Sequence, residues 1–452
     1  MKNNLIFLVE KSKEELIEII LQKESRIQEL EKKLLEKEKA EAQKKLLKIM
    51  RMAQRVKRPK TPGQKIGHEG FTRLKPQEID RTIEQTLKRC PDCHRGLSKS
   101  QEVIEHIQED IISARPEVTC FKKHRYYCKH CKRIVTAPYA PEEIPHGNLG
   151  PNVLVQTVIL KYHHGLPYNK IKELFQSLCH FQVSEGALAQ ALQRMSEWLR
   201  VESEQILSAI RASPHIHMDE TGWKISGTNH WLWAAVNERL AYYRIARSRG
   251  AKVPKAILSK CYQGVLVTDF YSAYHFFHGK MQKCLVHLMR EMHSLYLKDK
   301  SEAFLKYHKQ LKRIIGDALR LKDTRETLTD SVYQRRIKRL KHRLFLWSCR
   351  DYRNKNLMRL AKRFLKHWLH LLTFLERPEI SFNNNLAERM IRPHVIIRNR
   401  SFQNRSTNGA KAHETMMSLL HTLRLQSKDP IASLQQAYLK HRQGNLRPIL
   451  SF

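Results

Sequence analysis

The pattern of apolar and polar positions changes character several times along the chain. Residues 12–50 contain neither Gly nor Pro, and apolar side chains recur there at heptad spacing: Leu16, Ile20, Ile27, Leu30 and Leu34. This spacing predicts a coiled-coil helix that dimerises the chain, the alternative being a solvated helix packed on its own chain. Residues 51–78 mix basic residues with Gly and Pro, which predicts a basic linker rather than a packed domain.

Helical spacing returns in residues 150–212. One predicted helix runs from about Asn169 to Cys179, and a second begins after Ser184, a favoured N-cap residue. A helix, a short turn and a capped helix together form the outline of a helix-turn-helix. Ordinary helical hairpins share this outline, so the pair of helices either reads a nucleic-acid sequence or is a structural hairpin that only packs against the rest of the chain.

Short apolar runs typical of strands begin at residue 214. They predict strands at 214–218, 231–236, 242–245, 265–268 and 284–286, with a helix at 252–260 before the fourth strand. Residues 288–376 are predicted to be helical and are very basic, and a last helix covers about 409–425. This order predicts an α/β RNase H-like core built on a mixed five-stranded sheet. Residues 213–287 would form its first part, 288–376 an all-α insertion, and 377–440 its second part.

Composition adds a strong positive charge to this picture. Lys and Arg total 83 against 44 Asp and Glu, a formal net charge of +39. Such an excess favours a polyanionic partner, either nucleic acid or an anionic membrane surface. No apolar run reaches the ~20 residues of a membrane-spanning helix. Residues 1–9 are too short for a signal peptide, so we expect a cytoplasmic protein without a membrane partner.

The predicted insertion carries a dense positive charge. Its basic positions either form a solvated helical face or clamp the end of a DNA molecule, and the sign of the charge favours the clamp. Leu344, Phe345 and Trp347 are expected to anchor it to a core. The basic positions include Lys309, Lys312, Arg313, Arg335, Arg336, Lys338, Arg339, Lys341 and Arg343.

Three carboxylates stand out in and after the predicted core. Asp219 ends the first predicted strand and Asp269 the fourth, so both are expected at the rim of a buried sheet, close enough to share a metal ion. Glu388 follows three asparagines that offer an N-cap, and Pro393 predicts an early end or kink of its helix. Leu386, Met390 and Ile391 would form the buried stripe of that helix. Glu388 lies ~200° around the helix from Leu386 and would face a cleft.

Oxygen ligands of this kind suit Mg²⁺ or Mn²⁺. Two such ions a few ångströms apart stabilise the attacking and leaving oxygens of an in-line phosphoryl displacement. The sequence therefore predicts a two-metal site held by Asp219, Asp269 and Glu388. For each carboxylate alone, a helix cap or a surface group is the simpler interpretation; the strand, strand, helix order favours the catalytic one.

Cysteines concentrate in residues 86–140. The two Cys-x-x-Cys pairs, Cys90 with Cys93 and Cys128 with Cys131, predict a structural zinc site in which the protein fills all four positions. Unmetallated thiols are the alternative. The remaining cysteines are isolated and are expected to be core thiols. Rival zinc ligands are Cys120, His94, His124 and His130; the isolated cysteines are Cys179, Cys261 and Cys349.

Three stretches carry a resemblance to a known family. Asp-Glu-Thr-Gly-Trp at Asp219, Thr-Asp-Phe-Tyr-Ser-Ala-Tyr at Asp269 and Asn-Asn-Leu-Ala-Glu-Arg at Glu388 resemble the catalytic blocks of the insertion sequence 66 family of bacterial transposases, enzymes of the Asp-Asp-Glu class. The resemblance extends from residue 12 to about residue 440 and includes the leucine-rich helix, the four-cysteine finger and the helical insertion. Residues 397–402 depart from it, since the family usually has a Gly-Arg-Lys-Asn-Trp type stretch there.

The resemblance implies that Asp219, Asp269 and Glu388 are the catalytic triad. It implies hydrolysis of a phosphodiester at the ends of a mobile element and attack of the freed 3′-hydroxyl on target DNA. Terminal repeats and target DNA would be partners of a homodimer or higher oligomer, alongside accessory transposition proteins, in a nucleoid-associated setting. Cys284-x-x-His287 resembles a signature found after the second Asp in such enzymes. His287 is therefore a candidate supporting residue, and Arg392, which follows Glu388, is a second candidate.

Two other functions fit parts of the sequence. One is a catalytically inert, zinc-containing DNA-binding relic or regulator, against which the intact acidic triad argues. The other is an RNase H-like nuclease or resolvase that cleaves without joining. The predicted coiled coil, finger and basic insertion favour synapsis of two DNA ends over simple cleavage.

Overall fold

A computed structural model describes residues 78–83, 88–89, 91–92, 94–95, 114–140, 143–144, 147–259 and 262–442. The chain divides into two units, Met1–Asp110 and Ile111–Phe452. The predicted coiled coil, nearly all of the predicted linker, and Cys90, Cys93 and Cys261 lie outside the described residues. The described residues of the first unit, between positions 78 and 95, are all exposed.

The second unit begins with an antiparallel hairpin of β1 (Arg125–Cys128) and β2 (Arg133–Thr136). The turn between these strands contains Cys131. Two of the predicted core thiols are not fully buried: Cys179 is partly exposed and Cys349 is exposed. Both sit at helix ends, where the chain reaches the surface.

Four helices precede the sheet: α1 (Pro151–Val158), α2 (Tyr168–Cys179), α3 (Glu185–Trp198) and α4 (Arg200–Ala212), with a π-helical turn at Ile159–His163 after α1. The hydroxyl of Ser184 accepts a hydrogen bond from the backbone N–H of Ala187 at 3.1 Å, which is an N-cap bond. Ile171, Phe175 and Leu188 form a small core between α2 and α3. The two helices lie where the sequence predicted them, and reading of nucleic acid by this pair stays a prediction.

A mixed five-stranded sheet forms the centre of the second unit. Its strands are β3 (His215–Ile225), β4 (Thr228–Val236), β5 (Ala241–Ala246), β6 (Val265–Thr268) and β7 (Met281–Lys283), in the order β5-β4-β3-β6-β7. β3 pairs antiparallel with β4 and parallel with β6. The helix α5 (Lys252–Leu258) crosses from β5 to β6. The predicted mixed sheet of an α/β core is confirmed.

β6 is buried along its whole length, as is typical of a parallel strand covered on both faces. Its side chains alternate between two cores. Leu266 packs into the core that is shared by β3, β4 and β5 with the helices outside the insertion. Val265 and Val267 pack into a second core, which is formed mainly by the helices of the insertion. The sheet therefore joins the two cores through this strand.

Five helices make up the insertion: α6 (Leu285–Lys298), α7 (Glu302–Asp323), α8 (Asp330–Ser348), α9 (Lys355–His367) and α10 (Thr373–Glu376). Leu344 and Trp347 are buried in its core as predicted. Phe345 instead lies at the surface against Trp368, with ring centroids 5.3 Å apart. No helix among the described residues is long and apolar enough to cross a bilayer.

Three helices follow the insertion: α11 (Asn385–Ser401), α12 (Thr407–Leu425) and α13 (Pro430–Arg442). The prediction that Pro393 ends its helix after a short segment is wrong, because α11 continues through Pro393 to Ser401. A kink at Pro393 stays a prediction. Proline removes one backbone donor, but Ile391 and Ile397 on either side of it are both buried in the core. This packing holds the helix together.

The predicted strand at 284–286 is wrong. The fifth strand is β7, three residues earlier, and α6 begins at Leu285. Two polar residues concealed β7 in the sequence, since Gln282 and Lys283 are fully buried. Gln282 Nε2 donates to the carbonyl of Leu371 at 3.1 Å, a partner that no local pattern reveals.

Three histidines are buried between α11, α12 and β5. His394 Nδ1 lies 2.9 Å from His413 Nε2, and the Tyr243 hydroxyl lies 2.6 Å from His421 Nδ1. Burial lowers the pKa of His413 and of His421 to about 3, and lowers that of His394 as well. All three are therefore neutral in the folded protein at neutral pH.

These histidines make the fold acid-sensitive. Between pH 6.5 and 3 the unfolded chain binds protons there that the folded chain does not, so the free energy of unfolding falls as the pH drops. The expected fall is on the order of 1 kcal/mol per histidine per pH unit. Urea unfolding at pH 7.5, 6.5 and 5.5 measures it. His413→Gln should flatten the dependence, and exposed His278→Gln should leave it unchanged. Equal slopes in all three proteins would contradict this account.

Candidate active site

The sheet register brings the two aspartates of the predicted triad together. His217 of β3 lies opposite Val267 of β6 in parallel register. Asp219 and Asp269 each follow two residues later, so they lie side by side where β6 ends. β3 does not end at Asp219 as predicted but continues to Ile225, where it is paired with β4 and no longer with β6. At its end Ile225 also forms a bridge with Asn404. Asp269 Oδ1 accepts a hydrogen bond from the backbone N–H of Tyr271 at 2.9 Å, which fixes the turn after β6.

Glu388 lies in the first turn of α11, which packs across β3 and β4. The start of this helix is attached to the sheet by Asn384, whose side chain is fully buried. Asn384 Nδ2 donates to the carbonyl of Met218 at 2.8 Å, and Asn384 Oδ1 accepts from His217 Nδ1 at 3.1 Å. The backbone N–H of Asn384 points to Cys284 Sγ at 3.2 Å. Glu388 is thereby held beside the strand that carries Asp219.

Asn384 is the N-cap residue, as the sequence predicted for this segment, but its side chain makes no capping bond. The side chain of Asn383 instead binds the start of the helix, because Asn383 Oδ1 accepts a hydrogen bond from the backbone N–H of Asn385 at 2.9 Å. The buried stripe of α11 also differs from the prediction. Ile391 is buried as expected, while Leu386 and Met390 are only partly buried; the other buried members are Ala387, His394 and Ile397.

The electrostatics of Asp219 show that the three carboxylates interact. Burial raises the pKa of Asp219 to about 7, and repulsion from Glu220, Asp269 and Glu388 adds to the rise. A carboxylate in this setting is stabilised in its charged form by a nearby cation. The site as it stands therefore favours binding of positive charge.

The oxygens of the triad do not all lie within 4.8 Å of one another. Among the described residues the one group of three that does is His215, His217 and Glu238. Its members are already bonded: His215 Nε2 donates to Glu238 Oε2 at 2.7 Å, and His217 donates to Asn384.

His287 lies on α6 and faces Glu388. Its Nδ1 is 3.7 Å from Glu388 Oε1, and Arg290 on the same helix lies 4.0 Å from that oxygen. Both His287 Nδ1 and Glu388 Oε1 are buried without a hydrogen-bond partner in the described structure. Arg392, the other predicted supporting residue, is exposed one turn after Glu388 and makes no polar contact with the described residues.

Glu220 is an acidic residue beside the triad that belongs to a different network. Successive strand residues point to opposite faces, so Glu220 points away from Asp219. Its carboxylate pairs with Arg249 at 2.9 Å and accepts from the Tyr274 hydroxyl at 2.9 Å. We infer a structural role for this carboxylate.

Lys283 is a buried cation behind Asp269 that sequence reasoning missed. Its Nζ donates to Thr268 Oγ1 and to the carbonyl of Asp269, both at 2.9 Å. Burial lowers the pKa of Lys283 to about 8. It fixes the end of β6 from which the Asp269 side chain projects. In the sequence, the one feature that could have drawn attention to Lys283 is that a basic residue occupies a position in a short strand where an apolar residue is usual.

Cys128 and Cys131 stand at the β1–β2 turn. The backbone N–H of Cys131 points to Cys128 Sγ at 3.4 Å, and this bond lowers the pKa of the Cys128 thiol. The rival ligand Cys120 is exposed. Cys90 and Cys93, outside the described residues, complete the predicted ligand set.

Most of the chain is similar to known proteins. A model described as Transposase IS66 family matches residues 146–412, more than half of the chain. An uncharacterized protein of Sinorhizobium fredii (strain NBRC 101917 / NGR234), y4jD, is 24% identical over 402 residues, covering 81% of this chain and 77% of its own. A second from that organism, y4qI, is 24% identical over 422 residues, covering 81% and 78%. The matched span contains both aspartates, the whole insertion and Glu388, and the chain belongs to the IS66 family of transposases.

Proposed function

We propose that this protein is a DNA transposase of the Asp-Asp-Glu class. It would hydrolyse phosphodiesters at the ends of its element and transfer the freed strands into target DNA. The observation that carries the proposal is the meeting of Asp219 and Asp269 on neighbouring strands, with Glu388 fastened to the first of them through Asn384. The sheet order β5-β4-β3-β6-β7 supports an RNase H-like core.

Asp219, Asp269 and Glu388 would hold two Mg²⁺ or Mn²⁺ ions. The donor set fits, because all its ligands are carboxylate oxygens and because Glu388 Oε1 is a buried acceptor without a donor in the described structure. Bound ions would stabilise the attacking and leaving oxygens of the phosphoryl group. The chain's part is to position the three carboxylates and, through His287 and Arg290, to orient Glu388.

DNA binding is proposed from the charge of the insertion. Arg335, Arg336, Lys338 and Arg339 are exposed along α8, and none of them has an ion-pair partner among the described residues. An unpaired row of cations on one helix fits a phosphate backbone. We assign this row to the terminal repeats. Residues 12–50 would then pair two chains, so that two ends are held together, with accessory transposition proteins as further partners at the nucleoid.

A structural zinc ion held by Cys90, Cys93, Cys128 and Cys131 is the second proposed cofactor. The N–H to sulfur contact at the β1–β2 turn supports it, because such bonds stabilise a thiolate. Cys128→Ser is expected to remove one zinc ion per chain and to loosen the hairpin, since a structural site needs all its ligands. Elemental analysis of the purified protein measures this. Cys179→Ser is the matched control and should keep its zinc; full zinc in Cys128→Ser would remove that residue from the site.

The test of the proposed function is a strand cleavage and joining assay. Full-length protein is mixed with DNA carrying its own flanking terminal repeats and Mg²⁺, beside the Glu388→Gln variant. Cleavage and joining by the wild type alone is the expected result. Cleavage without joining would instead identify a nuclease or resolvase. Binding without cleavage by either protein, persisting after the element's neighbouring gene products are added, would identify an inert DNA-binding relic.

A further inference from the structure

A groove of about 630 Å³ lies away from the carboxylates, at the far end of α11. One wall is the start of α3, where the small residues Gly186 and Ala189 face the opening. The other wall is the loop between α11 and α12, residues 402–406. Glu388 and this loop are separated by the length of α11, which at 1.5 Å per residue is about 20 Å.

Phe402 stands at the mouth of this groove in a strained conformation. Its φ is +61° and its ψ −48°, and the backbone N–H of Gln403 donates to the carbonyl of Ser401 at 2.7 Å. This is a γ-turn with positive φ, a rare and strained arrangement for a residue with a side chain. Phe402 as a whole residue is 78% exposed. The strain is therefore not compensated by burial of the aromatic ring.

The backbone on both sides of Phe402 is fixed. Ser401 accepts a hydrogen bond from Lys161 at 3.0 Å. On the other side, Asn404 pairs with the β3–β4 hairpin: its N–H donates to the carbonyl of Lys224 at 3.1 Å, and its side chain accepts from Trp223 Nε1 at 2.7 Å. The ring is thus presented to solvent by a rigid frame.

Positive charge surrounds the ring. Arg400 and Arg405 are exposed beside it, and Arg398 and Lys161 line the groove. Within the described part of the chain none of these four has a carboxylate partner; Arg398 and Arg400 donate to backbone carbonyls of Gly222 and His164. The groove contains one acidic residue, Glu185. A ligand with a flat apolar face and negative charge fits this combination.

We propose that the groove receives one unstacked nucleotide of the bound DNA, with its base on the Phe402 ring and its flanking phosphates on Arg400 and Arg405. Bases stack on exposed aromatic side chains, and arginines hold the adjoining backbone. The inference rests on the proposed function, since it takes the ligand to be DNA. About 20 Å along a duplex corresponds to roughly six base pairs from the carboxylates. Phe402 would therefore mark a position inside the element end.

The experiment measures the affinity of the full-length protein for two duplexes of about 20 base pairs without divalent metal. One is fully paired and the other has a single unpaired 2-aminopurine. The wild type should bind the second at least about fivefold more tightly and alter its fluorescence, as expected from base stacking on an aromatic ring. Phe402→Ala should bind both duplexes equally and unfold at no lower temperature, while Phe402→Trp should retain the preference.

An equal affinity of the wild type for both duplexes, or an undiminished preference in Phe402→Ala, would overturn the inference. Gly186→Leu adds an independent arm, because a side chain at this position meets nothing nearer than Ser184 Oγ at 4.0 Å and would fill the groove. It should abolish the preference as Phe402→Ala does. Failure to bind either duplex at low salt would count against DNA binding itself, whereas binding of the paired duplex without preference would count against the groove alone.

Discussion

Asp219→Asn is expected to abolish strand cleavage while DNA binding stays unchanged. The substitution removes a proposed metal ligand and its charge, whereas the exposed cations of the insertion are untouched. We expect cleavage to fall by well over about a hundredfold, beyond what loss of a residue that merely orients a ligand produces. Cleavage assays and binding to the same labelled terminal repeat give the two quantities. Cleavage at the wild-type rate would remove Asp219 from the site.

The same substitution should not weaken the fold. The amide oxygen of the new asparagine can still accept the hydrogen bond that Asp219 Oδ1 receives from the backbone N–H of Glu220 at 2.9 Å. The change also removes a buried charge that neighbouring carboxylates repel. In the absence of metal the thermal midpoint should therefore stay equal or rise, as is common when a residue kept for function is replaced. A large fall would point to a structural role for Asp219.

Glu414→Gln is the matched control for Asp219→Asn. Like Asp219, Glu414 is partly buried, and burial raises its pKa to about 7. Its carboxylate accepts a hydrogen bond from the backbone N–H of Ile245 at 2.6 Å, which the glutamine carbonyl can also do. Both changes turn a partly buried acid into its amide. Only the one at Asp219 should stop cleavage.

Asn384→Ala is expected to impair stability and cleavage together. It leaves His217 and the carbonyl of Met218 without their partner in a fully buried place, which destabilises the fold by about 2–4 kcal/mol. It also frees the start of α11, and a shift of Glu388 by about 1 Å lowers the rate roughly a hundredfold. Urea unfolding and cleavage at a temperature where both proteins are folded measure the two effects.

Asn385→Ala separates the role of Asn384 from a general effect on the helix. Asn385 is exposed, and its side chain makes no hydrogen bond to the described residues. Stability and cleavage should both stay near wild type. If the two alanine variants behaved alike, the anchor at Asn384 would not be what positions Glu388.

Local sequence patterns were sufficient to predict the parts of the fold in which apolar side chains are buried and polar side chains are exposed or bonded to near neighbours in the sequence. β6 was predicted at its observed bounds because three apolar residues and the β-branched Thr268 are followed by the charged Asp269. Ser184 was predicted as an N-cap because capping is settled within three residues. The adjacency of Asp219 and Asp269 followed from an expected strand order, which the register bears out.

Long-range contacts explain what the sequence could not predict. The side chain of Asn384 bonds to residues more than 160 positions away, so a local view could assign it only a capping role. Lys283 and Gln282 have the polarity of surface residues, yet partners distant in the sequence satisfy them in the interior. Phe402 could not be singled out either, because its exposure results from contacts that its neighbours make with β3 and the turn after α1.

The insertion leaves and rejoins the core at a single point. The backbone N–H of Leu285, where α6 begins, donates to the carbonyl of Phe382 at 2.9 Å, just before the segment that carries Asn384. Nearly a hundred residues thus form a side branch of the core whose first and last residues are hydrogen-bonded to each other. The parts of such a branch that lie away from β6 can lengthen, shrink or be exchanged during evolution without moving the strands, whereas the face packed on Val265 and Val267 is constrained. The proposed catalytic frame and the proposed DNA-binding surface of the insertion are therefore free to diversify at different rates.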